Sequence, residues 1–117
     1  MKAAVTGASG FIGRHVLTAL LRQEVEIVAV TRDAERLKGL SESIQIVKMD
    51  IAHPAPDCFD RMGCPDVLIH LAWDGLPNYK SLHHFESELP KQYHFLKMLI
   101  EAGLPSLLVT GTCFEYG

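Results

Sequence analysis

Short apolar runs alternate along this chain with stretches whose apolar residues recur at helical spacing. Lys2 to Thr6 (K-A-A-V-T) is a short apolar run ending at a glycine, the pattern of a buried strand. Phe11 to Arg22 follows, with Ile12, Val16, Leu17, Leu20 and Leu21 on one helical face. Val25 to Thr31 is rich in β-branched residues and predicts a second strand. Asp33 can cap a short helix running to about Leu40. Ile44 to Met49 predicts a third strand, and His53 to Gly63, with two prolines, a loop holding at most one helical turn. Asp66 to Leu71 predicts a fourth strand and Trp73 to His84 a polar loop. Phe85 to Ala102 predicts a helix with Leu89, Leu96, Leu99 and Ile100 inward. Its true first turn falls near Pro90, and Gly103 and Pro105 close it. Ser106 to Thr110 predicts a fifth strand.

Apolar strands alternating with helices describe an α/β fold whose sheet is covered on both faces. Right-handed crossovers then give a doubly wound parallel sheet of five strands in the order 3-2-1-4-5. Neither an internal repeat nor a linker interrupts the chain, so residues 1–117 are expected to form one domain. Composition narrows the picture further. Lys+Arg 11 against Asp+Glu 14 gives a net charge of -3, which argues against nucleic acid or an anionic membrane as the main partner. Cys58, Cys64 and Cys113 are odd in number and irregular in spacing, as reduced thiols in a reducing compartment would be. With no leader pattern and no apolar run of membrane length, a cytoplasmic protein is expected.

The candidate chemistry begins at Thr6 to Gly13, T-G-A-S-G-F-I-G, between the first strand and the first helix. Gly7 suits a tight exit from the strand, Gly10 a close approach of backbone to a pyrophosphate, and Gly13 close packing of the helix. The free N–H groups of the helix start would face the anion, which nominates Gly7, Gly10, Phe11, Ile12 and Gly13. The G-x-x-G-x-x-G spacing resembles the short-chain dehydrogenase/reductase superfamily. Its position at the N-terminus resembles the extended branch, the NAD-dependent epimerase/dehydratase family, with an NAD(P)-binding Rossmann domain over residues 1–117.

The resemblance implies further site residues. Asp50 and Ile51 match the position that contacts the adenine, and His70-Leu71-Ala72 the H-x-A motif beside the cofactor. Val109 to Gly117, including Thr110, matches the segment that ends the fifth strand; its catalytic hydroxyl falls on Thr112. The resemblance also implies a nucleotide-sugar substrate. The W-D-G-L-P-N-Y stretch at Trp73 is similar to enzymes of deoxysugar nucleotides, such as 4-keto-6-deoxyhexose reductases. A homo-oligomer stays open.

NAD-using members end the second strand on a carboxylate, but here Thr31 stands there and Arg32 follows. Arg32 can pair with a 2′-phosphate and stack on adenine, so NADP is expected, with NAD as the alternative. Asp33 competes as a ribose ligand by its distance from the glycine loop, but reads better as a helix cap.

The family's Tyr-x-x-x-Lys pair does not follow Thr112 within this chain, and the Tyr93–Lys97 match falls on the wrong helix. The chain is therefore expected to be the front part of a longer enzyme, to bind cofactor without turnover, and to self-associate through its fifth strand. A non-catalytic dinucleotide-binding regulator is the competing reading. Leu89-Pro90-Lys91-Gln92 departs from the family's Asn-x-x-Gly-Thr. Cys58, Cys64 and His70 do not have zinc-ligand spacing, so no metal is expected. His83-His84 reads as a solvated loop or helix start, and Cys113 as a packed thiol.

Overall fold

A computed structural model describes all residues except 41, 75–77, 79 and 112–117. Five parallel strands form one sheet in the order β3-β2-β1-β4-β5, as the alternation of strands and helices predicts. They are β1 (Lys2–Thr6), β2 (Glu26–Thr31), β3 (Ile44–Lys48), β4 (Val67–His70) and β5 (Ser106–Val109). The helices are α1 (Phe11–Leu20), α2 (Cys58–Arg61) and α3 (Leu89–Glu101).

The period of two along a strand divides the core into two layers. Val28 and Val30 of β2 join Ala4, Leu68, Phe59, Met62, Phe95 and Leu99 under α2 and α3. The intervening Ile27 and Ala29 join Val5, Leu17, Leu37 and Ile44 under α1. The central strands β1 and β2 therefore need apolar residues at successive positions, which is why they read as unbroken runs.

Two helices differ from expectation. The stretch after β2 forms only a 3₁₀ turn, Ala34–Leu37. Asp33 caps it as expected, its Oδ1 accepting from the Glu35 N–H at 3.1 Å. Before α3, residues His84–Glu88 form a π-helical turn, with the Leu89 N–H reaching back to the His84 carbonyl. Helix α3 then starts beside Pro90, at the position that suits a residue with no N–H. Gln92, Phe95 and Leu99 are the buried residues of α3. Leu89 and Ile100, expected inward, are 49% and 54% exposed. In β5, expected to be an edge strand with exposed apolar surface, Leu108 and Val109 are more than half exposed at the sheet's edge.

Candidate functional site

The carboxyl ends of the strands lie along one edge of the sheet. Thr6 pairs with both Val30 and His70, Thr31 with Lys48, and His70 with Val109. Gly7, Arg32, Leu71, Ala72 and Thr110 follow directly, and Asp50 comes two residues after β3. The fold thus brings these sequence-nominated residues to one edge, at the switch point where the chain turns away from β1 in both directions.

Backbone contacts shape the glycine loop. Gly7 has φ +65°. A Cβ on Gly7 would lie 2.9 Å from the Ala72 nitrogen, so the loops after β1 and β4 touch there. A Cβ on Gly13 would lie 2.2 Å from the Gly7 carbonyl and 2.8 Å from Ala8. Gly13 thus lets α1 pack onto the glycine loop itself. Gly10 is exposed, and a Cβ there would meet only the Gly7 carbonyl, at 3.3 Å. No side chain caps α1 and no acidic residue stands in its first turn. Its leading N–H groups and positive dipole end suit an anion. Phe11 and Ile12 are exposed there.

On the other side of β1, a buried polar chain runs from strand to helix. The Thr6 hydroxyl lies 2.7 Å from His70 Nδ1 and also accepts the Leu71 N–H at 3.2 Å. His70 Nε2 bonds Gln92 Oε1. Gln92 Nε2 then donates to the Ala72 carbonyl at 2.9 Å and to Glu88 Oε1 at 2.7 Å. This pattern assigns the neutral Nε2–H tautomer to His70, with Thr6 donating to Nδ1. Burial pushes the imidazole below its ordinary pKa, against the raising influence of the Gln92 bond and the Glu88 charge. His70 is thereby held neutral, and Ala72 is held against Gly7.

The remaining nominated residues stand nearby. Arg32 is exposed past the end of β2. Asp50 is exposed, with its Oδ1 on the Ala52 N–H, and Ile51 packs on the α2–α3 core layer. Leu71 packs on the opposite layer. Thr110 donates from its backbone N–H to the His70 carbonyl at 3.3 Å. Thr112 and Cys113 lie outside the described residues.

Sequence reasoning missed several neighbours. Ser9 Oγ lies 3.1 Å from Thr31 Oγ1 and so links the glycine loop to the end of β2. Ser9, Arg14, His15 and Arg36 line a surface pocket of about 470 Å³ beside Gly10 and Phe11. Arg14 Nη2 donates to the Arg36 carbonyl at 3.1 Å. Gln92 carried a signal only as part of a departure from a motif, and Glu88 carried none. The histidine pair, expected in solvent, is half-buried. Trp73 Nε1 donates to His84 Nδ1 at 2.7 Å, and His84 Nε2 donates to the Asn78 carbonyl at 2.8 Å.

Comparison with known proteins adds three findings. The model of the NAD dependent epimerase/dehydratase family matches residues 3–117. A dTDP-6-deoxy-L-talose 4-dehydrogenase (NAD(+)) from Aggregatibacter actinomycetemcomitans is 30% identical over the whole chain, which spans 43% of that protein. A CDP-abequose synthase from Salmonella typhimurium is 59% identical over 44 residues, 38% of this chain and 14% of that protein. The chain thus spans less than half the length of these relatives. Among solved structures, a UDP-glucose-4-epimerase from Stenotrophomonas maltophila, with bound NAD and formylated UDP-arabinopyranose, superposes with TM-score 0.84. It is 22% identical, and the match covers 100% of this chain and 38% of the epimerase. A Bordetella bronchiseptica enzyme in complex with NAD superposes with TM-score 0.76 at 20% identity, over 100% of this chain and 39% of its own.

Proposed function

Because the chain belongs to the NAD dependent epimerase/dehydratase family, we propose that residues 1–117 supply the cofactor half of an enzyme oxidising or reducing a deoxysugar nucleotide. The observation that carries this reading is the contact between the two loops at the switch point. Gly7 and Ala72 meet only because residue 7 has no side chain, and the uncapped start of α1 stands beside them. A pyrophosphate fits there: Gly10 is exposed, and the first-turn N–H groups of α1 have no side-chain acceptor. A bound nicotinamide would supply the hydride chemistry. This chain's own part is to orient it, with Leu71, Ala72 and Thr110 along the edge beyond β4 and β5. Asp50 and Ile51 are assigned to the adenine, and Thr112 to the hydroxyl that holds a substrate carbonyl. The names of the two relatives support a sugar nucleotide as the substrate class.

For the cofactor, the reading is NADP. No carboxylate ends β2, the neighbouring Asp33 is engaged as a cap, and Arg32 stands exposed beside it. Arg14 and Arg36 add positive charge next to the glycine loop. The relative named for NAD(+) makes this choice the sharpest point to test. Titration followed by nicotinamide fluorescence should give tighter binding of NADPH than of NADH. Gly10→Val, which places a side chain where the pyrophosphate should lie, should abolish both. Arg32→Ala should weaken NADPH roughly tenfold to a hundredfold, the value of one charge-assisted bond of about 1.5–3 kcal/mol, and leave NADH unchanged. Equal weakening of both cofactors would remove Arg32 from the phosphate.

A further inference from the structure

Beyond the cofactor residues, past Ala72, an imidazole and two carboxylates converge. We propose that Asp74, His83 and Glu88 form a binding site for a divalent transition-metal cation, with Zn²⁺ the best match. A carboxylate oxygen of Asp74, a ring nitrogen of His83 and a carboxylate oxygen of Glu88 all lie within 4.8 Å of one another. A cation among them would need only small side-chain rotations to reach bonds of about 2.0–2.2 Å.

The second observation is the state of the imidazole. The His83 side chain is 32% exposed, but its Nε2 is shut off from solvent and has no hydrogen-bond partner among the described residues; its ion-pair contact with Glu88 Oε2, at 3.6 Å, is too long for a hydrogen bond. A buried polar atom left unpaired is costly, and a missing ion is one of the few explanations such an atom has. A metal bond through the nitrogen lone pair would satisfy it.

The backbone builds this arrangement. On an α-helix, residues five apart point about 140° away from each other. The π-helical turn over His84–Glu88 carries i to i+5 bonding and so sets residue 83 over residue 88. Glu88 is held in place: its side chain is 5% exposed, and its Oε1 accepts from Gln92 Nε2 at 2.7 Å and from the Asp74 N–H at 3.2 Å. The His83 N–H is fixed on Ser81 Oγ at 3.2 Å. Gln92 thus plays the part of the outer group that orients a metal-binding carboxylate.

The donor set selects the ion. An imidazole with two carboxylates suits Zn²⁺ better than Mg²⁺ or Ca²⁺, which prefer all-oxygen surroundings. Three protein ligands leave at least one coordination position open.

The test needs no nucleotide, so its failure leaves the cofactor reading untouched. Metal-stripped protein is titrated with Zn²⁺ by calorimetry and with Co²⁺ by visible absorption. The expected result is one Zn²⁺ per chain in the micromolar range, and a Co²⁺ spectrum without a thiolate charge-transfer band. His83→Ala should weaken Zn²⁺ at least tenfold, and Asp74→Asn by a smaller measurable factor. Cys64→Ser, at the exposed thiol that is the obvious competitor, should change nothing. If His83→Ala fails to fold, Asp74→Asn carries the test, because its side chain is on the surface. Absence of binding, undiminished binding in the folded histidine variant or in Asp74→Asn, or loss in the cysteine variant would overturn the proposal.

Discussion

The two loops that meet at the switch point are held by different means. The loop after β1 is set by backbone: Gly7 takes a left-handed conformation and Gly13 lets α1 rest on the Gly7 carbonyl. The segment after β4 is set by side chains, through the chain Thr6, His70, Gln92 and Glu88. The first loop tolerates no added atom at its key positions, whereas the second tolerates no missing donor. A site built this way should fail by crowding on one side and by lost partners on the other.

That contrast can be broken at either end. The largest effect is expected from Gly13→Ala, whose methyl would sit 2.2 Å from a backbone oxygen. It should cost about 3 kcal/mol or more in urea unfolding, because the obstructing atoms are backbone and cannot swing away. Gly10→Ala, facing one carbonyl at 3.3 Å, should cost under about 1 kcal/mol by the same measurement. Similar losses for the two would mean that the loop yields to side chains after all.

Next in size is Gln92→Leu. It keeps the volume and strips the donors from Ala72 and Glu88 and the acceptor from His70. Each stranded group costs about 1–3 kcal/mol, and the losses overlap, so a fall of about 2–4 kcal/mol is expected. A melting temperature equal to the parent's would show that packing, not pairing, holds the segment after β4.

The smallest effect is a pH dependence. His70 has a folded-state pKa below its ordinary 6.5, so between those values the unfolded chain binds the extra proton. Its contribution is intact above 6.5 and is lost as the pH falls from there through the folded-state value. Urea midpoints should therefore drop between roughly pH 7.5 and roughly pH 5.5, and His70→Asn should flatten part of that slope. An unchanged slope in the variant would assign the acid sensitivity to other groups.

The same contrast explains what could be read in advance. Strand order and the glycine loop were legible because each rests on a local pattern: unbroken apolar runs, and three glycines phased between a strand and a helix. Asp33 as a cap was legible for the same reason. The polar chain was not, because its members sit at positions 6, 70, 88 and 92 and only the fold adds them up. Gln92 on a helix face resembles any surface glutamine until His70 is known to lie beneath it. The inward face of α3 differs from expectation at Leu89 and Ile100 because the buried stripe is centred on Gln92, Phe95 and Leu99, and residues 89 and 100 fall about 100° round the axis from it.

That turn also has a bearing on how the gene can vary. Rewinding His84–Glu88 as ordinary α-helix with no residue removed would rotate everything before Leu89 by about 100° about the axis. Gln92 would keep its hold on His70, while His83 would swing away from Glu88. Here the number of residues is as much a chemical requirement as their kind. A single-codon deletion within the turn would leave residues 83 and 88 four apart on an ordinary helix and still on one face, whereas the same residues wound without the wider turn would part them.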